Sequence, residues 1–411
     1  MTLQAKPAAQ AQRVGVPLLD LRRQYEEIRE EVLAAVERVC ASQHFILGEE
    51  VEGLEREIAA FTGAAAAVGC ASGTDALWLA LLAAGVGPGK AVLTTPFSFF
   101  ASASAIVRAG ARPVFADIDP LTLNLDPAQA EARLRGQVQN IRAILPVHLY
   151  GQCANMDALQ EIAGRFNLTI VEDAAQAMGA AWRGKKAGTL GAAAAFSFYP
   201  TKNLSAGGEA GLVTTGNPEY AAHMRRLRNH GSPQRYLHQE MGWNCRMDAI
   251  QAAILRVKLR HLETWNQQRR DHAARYDRLF REAALTGGAS AEFHAAKENG
   301  ARRAQTLVSA ATPLVLPQTS PHATPIFHQY VVRAHRRDEL RQFLTSRNIG
   351  TEVYYPLPLH LQPALAYLGY REGDFPESER AAKEVLALPM FPELRKEEQL
   401  LVVKSVAEFY S

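Results

Sequence analysis

From Leu21 the apolar positions recur at helical spacing: Leu21, Ile28, Val32, Ala35 and Val36 share one face of LRRQYEEIREEVLAAVERVCAS. That pattern predicts an amphipathic helix. EEVEGLEREIAAFTG repeats it and closes on Gly63, so a second helix is expected there. The period then alternates. AAVGCAS, KAVLTTP, ARPVFADID, RAILPVHLYG, LTIVEDA, AAAFSFYP and AGLVTTG read as strands. GTDALWLALLAAG, FFASASAIVRAG, DPAQAEARLRG and NMDALQEIAGRFN read as helices between them. Several of the strands are apolar without interruption, as expected when helices cover both faces of a mostly parallel sheet. The predicted fold class is α/β, a large domain built on seven strands.

Beyond about Asp248 the text changes. A long helical pattern runs from Ile250 to Leu285, and the stretch 286–324 is irregular and rich in Ala, Ser and Pro, which predicts a surface excursion. FHQYVVRA then reads as a strand, RRDELRQFLTSRNIG as a helix ended by Gly350, TEVYYPLPLH as a strand running into a loop, and EEQLLVVKSVAEFY as a last helix. The expected organisation is a disordered lead-in over 1–15, a large domain over 16–260 and a smaller α+β domain over 261–411.

Composition narrows the function classes. Hydrophobic residues make up 47% and charged residues 21% of 411 positions, enough for a sizeable core. The 45 basic residues against 42 acidic ones leave a net charge of +3, with no basic stripe, which argues against nucleic acid as a partner. Cys40, Cys70, Cys153 and Cys245 are scattered without a CxxC pair, so free thiols in a reducing compartment are expected and no metal site is. No apolar run reaches the ~18 residues of a membrane span, and MTLQAKPAAQAQRVG lacks the apolar centre of a signal peptide. A cytoplasmic protein is expected.

In parallel sheets ligands gather at the carboxyl ends of strands, and the chemistry of this chain concentrates there. CASGTDAL joins a strand to a helix through Ser72, Gly73 and Thr74, a turn that frees backbone N–H groups for an anion, although most such turns are only capped helix starts. TTPFSFFAS puts aromatic rings at the next strand end; they suit a core or the face of a planar heterocycle. LTIVEDAAQ ends three β-formers on Glu172 and Asp173, and helix capping is the ordinary explanation for a carboxylate there. AAAFSFYPTKNL ends another apolar strand on Lys202. An acid and a lysine on neighbouring strand tips are what pyridoxal phosphate chemistry requires: the lysine binds the aldehyde and shuttles a proton, and the carboxylate keeps the pyridine nitrogen protonated. GVGPGK lacks the spacing of a phosphate loop, His148 and Cys153 are too isolated for a metal, and no GxGxxG follows the first strand.

FILGEEVEGLE, CASGTDAL, VHLYGQCANMDAL, VEDAAQAMGA, FSFYPTKNL, GWNCRMDAIQAAIL, YYPLPLHLQPA and LALPMFPEL together resemble the DegT-type sugar aminotransferases. These are fold-type-I pyridoxal phosphate enzymes acting on nucleotide-linked keto sugars. The resemblance runs from about residue 17 to the C-terminus, apart from 286–324. It implies Lys202 as the Schiff-base lysine, Asp173 as partner of the pyridine nitrogen, and Gln176 at the cofactor's phenolic oxygen. It implies Gly73, Thr74 and Ser197 at the phosphate, Phe99 as the stacking ring, and Asn244 reaching the phosphate of the neighbouring subunit's cofactor, hence a homodimer with shared sites. Tyr199, Tyr355 and His360 fall where family members approach the sugar or its diphosphate. Tyr354-Tyr355-Pro356 stands where the family often has His-Tyr-Pro, a departure at a substrate contact.

The implied reaction is a transamination, with L-glutamate as amino donor and a nucleotide-linked keto sugar as acceptor. Tyr199 stands where the 4-keto branch often has a histidine, and FSFYPTKNL together with YGQ at 150–152 looks closer to the branch that aminates C3, so C3 is favoured over C4. The family's dehydratases replace the lysine by histidine, which Lys202 argues against. A regulatory homologue without catalysis is the remaining alternative, and the intact set Asp173, Gln176, Ser197 and Lys202 weighs against it.

Overall fold

The computed structural model describes residues 15–136, 140–286 and 307–411. The expected lead-in, apart from Gly15, lies outside them. The first helical patterns form α1 (Leu21–Ser42) and α2 (Glu49–Thr62). Asp20 caps α1 by accepting from the N–H groups of Arg22 and Arg23, and Gly63 ends α2 at φ 85°. All seven strands read from the sequence are present: β1 (Ala66–Cys70), β2 (Ala91–Thr94), β3 (Arg112–Phe115), β4 (Ile141–Leu145), β5 (Thr169–Asp173) and, past a small hairpin of β6 (Ala181–Trp182) and β7 (Lys185–Lys186), β8 (Ala193–Ser197) and β9 (Gly211–Thr215). They form one sheet in the order β1-β9-β8-β5-β4-β2-β3. Only β9 runs against its neighbours.

Helices cover both faces, as the uninterrupted apolar strands required. The connecting helices are α3 (Gly73–Ala83), α4 (Ala101–Arg108), α5 (Pro127–Arg135), α6 (Met156–Phe166), α7 (Pro218–Leu227) and α8 (Ala249–Leu259). One core layer joins α2, α6 and α8 to Ile170, Ala194 and Phe196 of the sheet. The opposite layer joins α3, α4 and α7 to Val171, Ala193 and Ala195. Helix α3 is buried from Ala76 to Leu81 all round, which explains why its sequence has no polar face.

The helical pattern expected to run unbroken from 250 breaks at Arg260–His261 into α8 and α9 (Leu262–Glu282), with neither Gly nor Pro at the break. Helix α9 joins two hydrophobic cores: Leu262 packs in the one beneath the seven-stranded sheet, Tyr276 and Phe280 in one formed with the C-terminal part. There β10 (Leu314–Val315), β12 (Tyr330–Ala334) and β13 (Val385–Leu388) form an antiparallel sheet, while β11 (Ala323–Thr324) pairs with β6. Helices at Arg337–Ser346, Pro376–Glu384 and Lys396–Tyr410 complete this part.

Three expectations differ from what is seen. Of the excursion expected over 286–324, residues 287–306 lie outside the described set, but Leu307, Val308, Leu314 and Leu316 are buried and two short strands form. TEVYYPLPLH makes a single bridge, Glu352 to Ala387, rather than a strand, because Pro356 and Pro358 lack the N–H a ladder needs. The residues just before α1 belong with the C-terminal part: Val16 N–H donates to Asn348 O, Gly350 N–H to Val16 O and Met390 N–H to Leu18 O.

Candidate active site

Side chains alternate across a strand, and that parity assigns the residues at the ends of β5 and β8. Val171 and Ala195 point into the α3/α4 layer, so Asp173 and Ser197, two positions further on, face the same way. Glu172 shares the other face with Ile170. There it is a finished structural anchor. Its Oε1 accepts from the N–H groups of Leu190 (2.8 Å) and Gly191 (2.7 Å), and its Oε2 from Gly188 N–H (2.9 Å). His148 completes it: Nδ1 accepts from Ala154 N–H at 3.2 Å, so Nε2 carries the proton and donates to Glu172 Oε2 at 3.0 Å.

Asp173 is 4% exposed and less fully engaged. Ser102 Oγ donates to its Oδ2 at 2.7 Å and Ala175 N–H to its Oδ1 at 3.2 Å. Burial raises its pKa, opposed by Ser102, Ala175, Lys202 and His148. Lys202 follows β8 by one turn and lies in a recess that leaves part of its surface open. Among the described residues its amine has no hydrogen-bond partner; burial lowers its pKa to about 8, and the Asp173 carboxylate opposes that shift. A sizeable fraction of such an amine is unprotonated near neutrality and able to attack a carbonyl.

An anion cradle lies on the same face. Ser72 caps α3 by accepting from Asp75 N–H, which leaves the N–H groups of Gly73 and Thr74 for a ligand. A Cβ on Gly73 would stand 2.5 Å from Ser197 Cβ, so the glycine lets α3 close up to the end of β8. Phe97 is fully buried, whereas Phe99 is 58% exposed and its ring lies 6.1 Å from that of Tyr355. Gln176 Oε1 accepts from Tyr150 N–H at 2.7 Å, and its Nε2 donates to Tyr355 Oη at 3.1 Å with one hydrogen to spare.

Tyr199 is exposed at the end of β8. Asn244 is exposed too, held by Arg246 Nε at 3.1 Å, beside Trp243 and Met241, which are also exposed. His360 departs from the open surface expected of a substrate contact. It is 1% exposed, packs edge-on against Phe375 and pairs through Nε2 with Glu379 at 3.0 Å, since Leu359 and Phe375 bury this stretch against Phe115. Tyr150 Oη donates to the Tyr354 backbone oxygen, and Ser102, the partner of Asp173, was not singled out from the sequence. The signal that points to it is its place in the first turn of α4, four residues after Ser98, whose hydroxyl it meets at 2.8 Å.

These residues fit pyridoxal phosphate. The Gly73 gap with the free N–H groups of α3 suits its phosphate, the exposed Phe99 ring suits its flat face, and Asp173, two donors deep in the protein, suits a protonated ring nitrogen. Among the described residues no cluster of three or more His, Cys, Asp or Glu stands together as a metal site, and no helix is long and apolar enough to cross a membrane.

The sequence profile of the DegT/DnrJ/EryC1/StrS aminotransferase family matches residues 26–407. The chain is 49% identical to a pleiotropic regulatory protein of Geobacillus stearothermophilus, over 97% of this chain and 99% of that one. It is 43% identical to the dTDP-3-amino-3,4,6-trideoxy-alpha-D-glucose transaminase of Streptomyces venezuelae, over 98% of each. The crystal structure of S. venezuelae DesV in complex with a ketimine intermediate superposes with a TM-score of 0.86 at 43% identity, covering 96% of this chain and 98% of that one.

Proposed function

This chain belongs to the DegT/DnrJ/EryC1/StrS aminotransferase family, and from that premise we propose that it uses pyridoxal phosphate to move an amino group from L-glutamate to C3 of a nucleotide-linked keto sugar. The observation that carries the reading is the Lys202 amine, free of hydrogen bonds and with its pKa lowered to about 8, facing the buried Asp173 carboxylate across the ends of adjacent strands. When bound, the cofactor supplies the carbonyl that takes up nitrogen and the ring that accepts electrons. Lys202 would hold that carbonyl carbon through Nζ and, once released, would carry the proton to and from it. Asp173 holds the ring nitrogen protonated, with Ser102 fixing its orientation. Gly73, Thr74 and Ser197 bind the phosphate, Phe99 stacks on the ring, and Gln176 reaches the phenolic oxygen with its spare N–H.

Tyr199 and Tyr355 face the sugar. His360 acts from behind by holding the loop they border through Glu379, whose Oε1 also accepts from Gly373 N–H at 2.9 Å. Asn244 serves the site of a second copy; the exposed Tyr236, Met241 and Trp243 around it support a homodimer that covers this face. C3 is favoured by Tyr199 and by the 3-amino product in the name of the Streptomyces relative. The four cysteines are free thiols, which suits the cytoplasm.

The test is the visible spectrum of the protein reconstituted with pyridoxal phosphate. The band of the lysine-bound cofactor should bleach with L-glutamate and return with a 3-keto but not a 4-keto nucleotide sugar. A missing band removes the cofactor, and a return with the 4-keto sugar moves the reaction to C4. The 49%-identical relative named for regulation favours a second reading, a regulator. Lys202→Ala separates the two: an enzyme loses turnover, whereas a regulator keeps its effect.

A further inference from the structure

Beside Lys202 runs a chain of buried amides. Asn203, 5% exposed, donates through Nδ2 to Asn266 Oδ1 at 2.8 Å and to Ile326 O at 3.4 Å. Asn266, 0% exposed, donates through its own Nδ2 to Met178 O at 3.1 Å. The Oδ1 of Asn203 faces Nδ1 of His328 at 3.0 Å. Backbone carbonyls only accept, so Met178 O and Ile326 O determine which end of each amide bears nitrogen. Asn203 therefore turns its oxygen to His328, and the ring must carry its proton on Nδ1, leaving Nε2 a bare lone pair. Burial, with Lys202 and Arg269 nearby, holds the pKa of His328 well below its usual 6.5, so the ring is neutral.

The space for this chain is made by glycines. A Cβ on Gly179, at φ +98°, would fall 2.5 Å from Asn266 Nδ2, and one on Gly151 would fall 2.8 Å from His328 N. The network thus ties four segments together: the loop after β8, the turn after β5, α9, and the entry to β12. It meets the reactive end of the molecule at Asn203, the residue next to Lys202.

We propose that Asn203, Asn266 and His328 are positioning residues for Lys202, a locked relay of amides and one neutral imidazole that keeps its loop closed and limits the water that reaches its amine. The inference deepens the reading of Lys202 as the attacking amine and rests on it. Lys202 is surrounded by Asp173 from β5 with His148 behind it, by Tyr355 acting on Asp173 from the C-terminal part, and by His328 with Arg269 of α9 behind it. None of the three positioning residues brings a charge of its own, so their effect on the amine is through geometry and hydration.

The test reads Lys202 in the full chain without cofactor, by reductive methylation with formaldehyde and borane across a pH series, quantified by peptide mass spectrometry. In the natural protein the midpoint should lie near the depressed value of about 8. His328→Leu and Asn266→Ala should raise it by about one pH unit towards that of an ordinary lysine, a roughly tenfold loss of reactivity below the midpoint, as the loosened loop lets water reach the amine. His328→Asn, whose amide N–H can replace Nδ1–H towards Asn203, should keep the natural midpoint. A purely structural network would lower the melting temperature of His328→Leu without moving the midpoint of its folded fraction, and that result overturns the proposal. So does a His328→Asn midpoint as high as that of His328→Leu. Should His328→Leu fail to fold, the contrast of Asn266→Ala with His328→Asn decides in the same way. A chain that bound no pyridoxal phosphate would defeat the proposed function and leave this measurement standing.

Discussion

At the tip of β5, Glu172 and Asp173 follow one another in sequence and lead separate lives on opposite faces of the sheet. Glu172 accepts from three backbone N–H groups and His148, and its work is to pin the turn 188–191 before β8. Asp173 accepts from one hydroxyl and one N–H and faces an unpaired amine. Both are buried carboxylates on the same strand. What differs is how completely the protein satisfies them: a saturated group fixes structure, whereas one left short of partners is open to a ligand.

That contrast can be pushed until it breaks. Lys202→Ala should have the largest effect, a loss of at least about 10,000-fold in kcat, with the covalently held cofactor gone from the spectrum. Asp173→Asn should cost about 100- to 1,000-fold in kcat and leave the melting temperature unchanged or higher, because a buried, under-satisfied charge has been removed. Glu172→Gln should do the reverse. Its new NH2 group meets backbone donors, so urea denaturation should show a loss of about 3 kcal/mol while kcat of the folded enzyme holds. If Asp173→Asn melted the protein or Glu172→Gln abolished turnover, the two faces would have to exchange roles. The smallest effect concerns pH. Capture of pyridoxal phosphate by Lys202 should accelerate as pH rises through about 8 and level off above it. In Asp173→Asn the midpoint should move down by less than about one unit, because the carboxylate that favours the ammonium form is gone, and in Glu172→Gln it should stay.

Much of this was legible without coordinates. The seven strands announced themselves because each is buried on both faces or capped by a turn, and Asp173 and Lys202 stood out as ionisable residues at the ends of apolar strands. The α8–α9 break was not readable, since it is made by packing against α1 and not by a helix breaker. The end of TEVYYPLPLH as a strand was readable from its two prolines, a local signal outweighed by the β-formers before them. The burial of His360 was not readable, because nothing local in its sequence reports Phe375 and Glu379, which come later and fold back over it. Ser102, His328 and Asn266 act through hydrogen bonds between distant segments, and no spacing rule encodes those.

The pairing of Val16 with Ile349 and of Leu18 with Met390 has a consequence for how the molecule is made. On the ribosome these residues emerge before the seven-stranded sheet, yet their partners lie in segments made after it. Helix α1 and the seven-stranded sheet can assemble while the opening residues wait unpaired. The C-terminal part must then close over a short segment that has waited without its partners, a late and long-range step of the kind that sets folding rates. Arg23, whose guanidinium grips Glu398 at 2.7 Å and 2.9 Å, is the latch that shuts once the last helix has formed. A chain released before that helix would carry a folded sheet and an open seam.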